Sequence, residues 1–148
     1  MIVITDGTSS TDSRGGIWDP DLDARLQEAN DEIWDPDAWF FKAHFQGDPV
    51  WPGSLGLESM LQLLRVVADD LWKDTGEWVP RSVAPGIPHR WTYRGQVTPE
   101  RNRVVVEATI TNVDHDRGII IADGMLSVDG LAIYSMGDFS IQRVKEDG

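Results

Sequence analysis

The longest apolar pattern in the chain is helical and covers residues 55–73. Its apolar side chains recur every three or four residues, which is the spacing of one helix face. These residues are Leu57, Met60, Leu61, Leu64, Val67, Ala68 and Leu71. Leu63 and Val66 widen the face beyond that of a surface helix, so we expect this helix to be buried on most sides. Gly76 marks the end of the pattern, because glycine is common just after the last turn of a helix.

The C-terminal half of the chain alternates apolar and polar residues, which is the period of a β-strand. The clearest strand is 103–113. One of its faces is entirely apolar and carries Val104, Val106, Ala108 and Ile110. Further strands are predicted at 89–97, 119–128 and 131–144, and the dipeptide Asp129-Gly130 predicts a tight turn between the last two.

The N-terminal third of the chain is less regular. Residues 2–5 are β-branched and predict a short strand, whereas 6–16 are rich in Gly and Ser and predict a loop. Residues 24–33 fit either a helix or a strand, and we favour a strand; the proline-rich stretch 80–88 predicts a second loop. This order of elements predicts an α+β fold, in which a curved antiparallel sheet wraps around one long central helix. The length is that of one domain, 1–148.

Composition then narrows the class of function. The net charge is -12, from 25 acidic and 13 basic residues, which argues against binding to nucleic acids or anionic membranes. The chain has no Cys, and this excludes disulfides, thiolate metal sites and cysteine nucleophiles. The N-terminus has no signal-peptide pattern, and no apolar run approaches the roughly 18 residues of a membrane span. A cytoplasmic protein is therefore expected.

The candidate chemistry begins at His44, just ahead of the predicted helix. A histidine has an ordinary pKa of about 6.5, so its neutral form can act as a general base. The competing interpretation is a packed or surface histidine without a chemical role. We retain that interpretation for His89, which follows a proline, and for His115, which lies among turn residues.

The second candidate is Glu58, one turn into the predicted helix. Burial among leucines would favour its protonated form, whereas the helix N-terminus would favour the carboxylate. The sequence leaves open which effect is larger, and an exposed glutamate favoured by the helix dipole is the alternative. Gln62 lies four residues further along the same face, so it is a candidate to orient Glu58 by a hydrogen bond.

The third candidate is the helix entrance, residues 52–54. Backbone N–H groups are free at a helix N-terminus and can bind an oxyanion, although plain helix capping also explains this sequence. Asp48 fits a turn residue, and together with His44 and Glu58 it matches no common metal-ligand spacing, so no metal is expected. A base, backbone donors and an acid together fit β-elimination from a thioester.

The stretch that carries these candidates resembles a known family. Residues 44–58, HFQGDPVWPGSLGLE, closely resemble the active-site signature of the hot-dog β-hydroxyacyl-thioester dehydratases of the β-hydroxydecanoyl-carrier-protein type. Residues 37–41, 89–97 and 128–134 look like the dehydratase domains of polyketide-type polyunsaturated fatty acid synthases. The resemblance covers about residues 35–143. It implies a dimeric hot-dog fold and dehydration of 3-hydroxyacyl chains to trans-2-enoyl thioesters.

The resemblance also implies roles for individual residues. His44 would be the base, with its other ring nitrogen held by the Val50 carbonyl. Glu58 would be the acid, given across a dimer interface to the His44 of the other subunit. The Gly53 N–H would bind the thioester carbonyl, and Gln62 would support Glu58. The substrate would be carried on the phosphopantetheine of an acyl carrier protein, with no cofactor bound to the chain and with a homodimer or pseudo-dimer as the assembly.

Two positions depart from the isomerising bacterial enzyme, which has Cys where Ser54 stands and Asp where Glu58 stands. Ser54 is also a substrate-binding candidate, and double-bond isomerisation stays open. The chain is either a domain of a multidomain synthase or a free-standing enzyme. A hot-dog thioesterase and a non-catalytic partner domain are the alternative functions. Four arginines form a candidate docking patch for the carrier: Arg90, Arg94, Arg101 and Arg103.

Overall fold

The computed structural model describes residues 2–5, 37–101 and 103–145. The described elements, in chain order, are β1 (Ile2–Thr5), α1 (Trp39–Ala43), α2 (Gly53–Leu71), β2 (Val79–Ser82), β3 (Arg90–Tyr93), β4 (Val104–Asp114), β5 (Ile119–Val128) and β6 (Leu131–Val144). The predicted loop 6–16 and the predicted strand 24–33 lie outside the described residues.

The central helix α2 is the buried helix that the apolar pattern predicts. It begins and ends two residues earlier than predicted, at Gly53 and Leu71. Pro52 is the N-cap residue, and its extended backbone, with φ of -55° and ψ of 131°, places the start of the helix at the next residue. Five side chains of α2 are completely buried: Met60, Leu63, Leu64, Val67 and Ala68. Burial of each large apolar side chain contributes roughly 1.5–3 kcal/mol, so this face anchors the helix on the sheet.

Six described strands form one sheet, with β4, β5 and β6 as an antiparallel centre. The apolar face of β4 is buried at alternate positions, as predicted, and β5 and β6 have the predicted bounds. Two short strands pair end to end along the outer edge of β6: β3 opposite Tyr134–Gly137 and β2 opposite Ile141–Val144. No described strand pairs with the other edge of β3.

Two details of the sheet differ from the predictions. β1 runs parallel to β4, with Ile2 opposite Val106, so the sheet is not antiparallel throughout. A parallel pair needs a long connection, which the many residues between the two strands provide. The predicted start of the loop 80–88 is wrong, because Pro80 belongs to strand β2. Proline is tolerated there because β2 is an edge strand.

The helix α2 packs on the sheet formed by β4, β5 and β6, and the core lies between these layers. This is the predicted α+β hot-dog fold. At the start of α2 the sheet approaches closely at Gly56, where an added β-carbon would lie 1.8 Å from the Tyr134 ring. The helix N-terminus is therefore held directly against β6.

Candidate active site

The loop that carries His44 is anchored at both ends. Before it, α1 buries Phe41 in the core, and the His44 N–H donates to the Phe40 carbonyl at 2.8 Å. After it, Val50 and Trp51 are buried, and the Trp51 N–H donates to the Val97 carbonyl at 2.8 Å. The position of His44 relative to α2 is therefore set by core packing.

The middle of this loop is a tight turn. Phe45 and Asp48 exchange two backbone hydrogen bonds, each of 3.0 Å. Gly47 lies between them with a φ of +80°, a conformation that glycine adopts without steric cost. Asp48 is exposed and serves the turn through its backbone, in agreement with the sequence prediction.

The imidazole of His44 is oriented by Val50. Its Nδ1 lies 3.0 Å from the Val50 carbonyl oxygen, and the Val50 N–H donates back to the His44 carbonyl at 2.7 Å. A carbonyl oxygen can accept but cannot donate, so this contact fixes the proton of neutral His44 on Nδ1. Nε2 then carries a lone pair, as a general base requires. The contact is the one that the resemblance implies, and the role of base stays a prediction.

The N-terminus of α2 presents free backbone donors beside this loop. The N-cap is Pro52, and no side chain caps the helix. Ser54 lies in the first turn and is exposed, so capping does not explain its presence. No acceptor for the Gly53 N–H is recorded among the described residues. This N–H can therefore donate to a substrate oxygen.

An aromatic wall, formed by Trp91, Tyr93 and Tyr134, faces the start of α2. The Tyr134 ring lies 4.8 Å from that of Tyr93 and 6.3 Å from that of Trp91. Tyr134 is buried, and this burial, with Tyr93 beside it, raises the pKa of the Tyr134 hydroxyl. Trp91 and Tyr93 remain 44% and 45% exposed. The wall therefore leaves apolar surface open beside Gly53.

Glu58 does not meet His44 within the chain. One oxygen of its carboxylate, Oε1, accepts a hydrogen bond from Nη1 of Arg65 at 2.9 Å. No hydrogen bond from Glu58 to His44 or to Gln62 is recorded among the described residues. The Glu58 side chain is 37% exposed, so it is not desolvated in the single chain. The support by Gln62 stays a prediction.

The comparisons with known proteins identify the family. Residues 26–137 match the FabA-like domain. The chain belongs to this family. This confirms the resemblance to hot-dog dehydratases that the sequence signature indicates.

One relative agrees with this assignment at the level of sequence, and two solved structures are similar to the chain. A polyunsaturated fatty acid synthase polypeptide of Thraustochytrium sp. is 40% identical over 112 aligned residues, which cover 72% of this chain. The FabA-like chain spans 7% of the length of that relative. The crystal structure of AziG from S. sahachiroi shares the fold, with a TM-score of 0.52 and 10% identity over 69% of this chain and 75% of AziG. An (R)-hydratase from A. caviae involved in PHA biosynthesis has a TM-score of 0.40 and 15% identity, over 86% of this chain and 87% of that one.

The other two histidines of the FabA-like chain lie outside this site. His115 accepts a hydrogen bond from the Trp72 indole at 3.3 Å, beyond the C-terminal end of α2, and His89 is exposed ahead of β3. In the described ranges, no three His, Asp or Glu side chains are grouped so that they would hold a metal ion. No helix of the described part is long and apolar enough to cross a membrane.

The sequence prediction missed two features of this FabA-like site. Arg65 lies seven residues after Glu58, and this two-turn spacing was a readable signal. The aromatic wall was not readable in the same way. Tyr93 and Tyr134 meet because β3 pairs with β6 in one particular register, which neither strand specifies alone.

Gly53→Ala is expected to lower kcat/KM of the FabA-like chain by about tenfold to a hundredfold without loss of stability. A β-carbon at Gly53 would lie 3.5 Å from the Trp91 ring, an ordinary van der Waals distance, so the fold accepts it. It would, however, fill the space between the helix start and the aromatic wall, which a substrate carbonyl would have to enter if the predicted role of Gly53 is correct. Steady-state kinetics measure the expected loss of kcat/KM, and thermal unfolding checks that stability is unchanged. A variant with parental kcat/KM would contradict the predicted role of Gly53.

Proposed function

We propose that the chain is a 3-hydroxyacyl-thioester dehydratase, a carbon–oxygen lyase that forms a trans-2-enoyl thioester and water. The observation that carries this proposal is the His44–Val50 contact of 3.0 Å, which leaves Nε2 of His44 free to take a proton. Membership of the FabA-like family supports the same reaction class.

The proposed reaction divides the work among three groups. Nε2 of His44 removes a proton from the carbon next to the thioester carbonyl. The negative charge that develops on the carbonyl oxygen is stabilised by the Gly53 N–H at the helix N-terminus. The bond between the β-carbon and its hydroxyl then breaks, and Glu58 in its protonated form donates the proton that completes water. Return of the proton from His44 to Glu58 resets the site.

We propose further that the Glu58 of one chain serves the His44 of a second hot-dog unit. Within the chain Glu58 binds Arg65, and no hydrogen bond joins the carboxylate to His44 among the described residues. The edge of β3 that no described strand covers and the half-exposed rings of Trp91 and Tyr93 form a surface that a second unit can cover. A homodimer or a pseudo-dimer of two such domains satisfies this arrangement.

Mixing two impaired variants tests the shared site. His44→Ala and Glu58→Gln are each expected to lose about a hundredfold or more of the parental activity alone, and their mixture is expected to recover about a quarter of it when protomers exchange. The physical reason is that half of a random mixture is mixed dimers, and each mixed dimer has one intact pair of base and acid. If the mixture stays impaired although mass spectrometry detects mixed dimers, the acid comes from the same chain.

The substrate is proposed to be carried on the phosphopantetheine of an acyl carrier protein. The likeness to part of a fatty acid synthase supports this choice. The four candidate docking arginines are all exposed, and Arg90 lies 3.7 Å from Asp138 in an ion pair. Because carrier proteins are usually acidic and this chain is too, a local basic patch would be needed for docking.

Product analysis tests the proposed reaction itself. The purified chain is incubated with 3-hydroxyacyl carrier proteins of several chain lengths, and the products are identified by mass spectrometry. A trans-2-enoyl thioester and water are expected. Free thiol without an enoyl product would instead indicate a thioesterase, and absence of turnover with retained binding would indicate a non-catalytic partner domain. A shifted double bond would show isomerisation in addition, despite Ser54 and Glu58.

A further inference from the structure

We propose that Arg65 is the positioning residue for the general acid. It holds Oε1 of the Glu58 carboxylate, so that Oε2 is the oxygen presented to the leaving hydroxyl. This inference rests on the proposed dehydratase function, and it concerns a residue that the signature around His44 and Glu58 does not include.

Helix geometry makes this pair possible. Residues seven apart in an α-helix are separated by about two turns and are offset by about 20° around the axis, so Arg65 stands almost directly behind Glu58. Side chains on a helix lean toward its N-terminus, and the Arg65 side chain therefore extends toward Glu58. Gln62 lies between them in the chain, about 40° to one side of Glu58. The arginine thus occupies the orienting position that the resemblance gives to Gln62.

The contact is a single charge-assisted hydrogen bond. Nη1 of Arg65 lies 2.9 Å from Oε1 of Glu58, and the two side chains are 34% and 37% exposed. Ion pairs as exposed as this contribute little to folding stability. Because its contribution to stability is small, we assign to this contact the orientation of the Glu58 carboxylate.

Orientation has a direct consequence for the reaction. A free glutamate samples several rotamers, and a proton donor is effective only when it stands within hydrogen-bonding distance of its acceptor. Arg65 restricts this freedom before the substrate arrives. Because one carboxylate oxygen is occupied, the other is the oxygen left to exchange a proton with the substrate.

Arg65→Met tests this role by kinetics. The variant keeps much of the apolar stem but has no donor, so kcat is expected to fall by about tenfold to a hundredfold while KM stays within about twofold. Arg65→Lys, with a charge but no planar fork, is expected to recover part of the loss. Lys73→Met is the matched control, because Lys73 forms an exposed pair with Asp70 at the far end of α2, at 3.5 Å. Its kcat is expected to equal that of the parent.

A double variant shows whether Arg65 acts through Glu58. If it does, Arg65→Met combined with Glu58→Gln costs no more activity than Glu58→Gln alone. Additive losses would overturn the proposal, as would an Arg65→Met variant that is as active as the parent. A more active Arg65→Met variant would also overturn it, since the pair would then restrain the acid.

A measurement without turnover separates this inference from the proposed function. NMR couplings of the Glu58 methylene groups are expected to indicate one dominant rotamer in the parent and averaged rotamers in Arg65→Met. Equal averaging in both proteins overturns the positioning role, whatever the enzyme does. If the parent forms no enoyl product, the dehydratase function fails separately, and the NMR result still decides whether Arg65 orders Glu58.

Discussion

Replacing His44 by alanine is expected to lower kcat for dehydration by about a hundredfold to ten-thousandfold. The imidazole is the group whose free Nε2 can remove the substrate proton, because its Nδ1 is engaged by the Val50 carbonyl at 3.0 Å. The fold should survive, since His44 is partly exposed and the loop is held by Phe41, Val50 and Trp51. Steady-state kinetics with a 3-hydroxyacyl carrier substrate measure the loss, and circular dichroism checks the fold.

His115→Ala is the matched control for this experiment. It also removes an imidazole, but from the turn between β4 and β5, where the ring accepts a hydrogen bond from Trp72 at 3.3 Å. Loss of that bond is expected to lower the free energy of unfolding by about 1 kcal/mol and to leave kcat unchanged. Parental activity in His44→Ala would show that another group is the base.

Local periodicity was sufficient to predict the elements whose environment is uniform along their length. The broad stripe of apolar residues in α2 is buried along the helix, and alternation in β4 follows one buried face, so the sequence repeats what the packing requires. The helix start was harder, because Pro52 and Gly53 also resemble a loop. The structure shows that Pro52 is the N-cap and that Gly53 is the first residue of the helix.

Elements that depend on distant partners were not predictable from local pattern. β1 has four residues, and its parallel pairing with β4 depends on a strand about a hundred residues away in sequence. β2 contains Pro80, which indicates a loop unless the strand lies at a sheet edge. The edge position follows from the order of the whole sheet, and a local pattern does not contain that order.

The candidate site divides in the same way. His44, Gly53 and Glu58 lie within one continuous stretch, so their residue types and spacing indicated the chemistry. The partner of Glu58 is a different matter, because Gln62 and Arg65 both lie on its side of the helix. Arg65, two turns away, forms the hydrogen bond, and the spacing of both residues permits a contact without showing which one is made. The assignment of the acid to a second unit came from the family resemblance, because the spacing of the residues does not contain it.

Gly56→Ala is expected to destabilise the fold by about 2 kcal/mol or more, although alanine is the better helix former. Helix propensity alone would stabilise the variant by about 1 kcal/mol. The added β-carbon, however, would lie 1.8 Å from Cε2 and 2.2 Å from Cδ2 of Tyr134. The ring cannot simply move, because it is buried and packs against Tyr93 at 4.8 Å. Overpacking typically costs about 1–3 kcal/mol and occasionally more. A contact of 1.8 Å belongs at the upper end of that range, so the steric term exceeds the propensity term by about 2 kcal/mol. Chemical denaturation measures the difference.

Gly53→Ala and a double variant show whether the Tyr134 ring is the cause. Gly53→Ala makes the same exchange three residues earlier in α2. The new β-carbon would lie 3.5 Å from the Trp91 ring, an ordinary van der Waals distance, so the stability of this variant should be unchanged or slightly higher. Gly56→Ala combined with Tyr134→Leu should be more stable than the sum of the two single effects predicts, since the smaller side chain relieves the clash. A Gly56→Ala variant with a raised unfolding midpoint would mean that β6 does not pack this closely on the helix. The helix N-terminus would then be held less rigidly, and Gly53 would be a weaker oxyanion donor than its position indicates, because a preorganised donor depends on a fixed backbone.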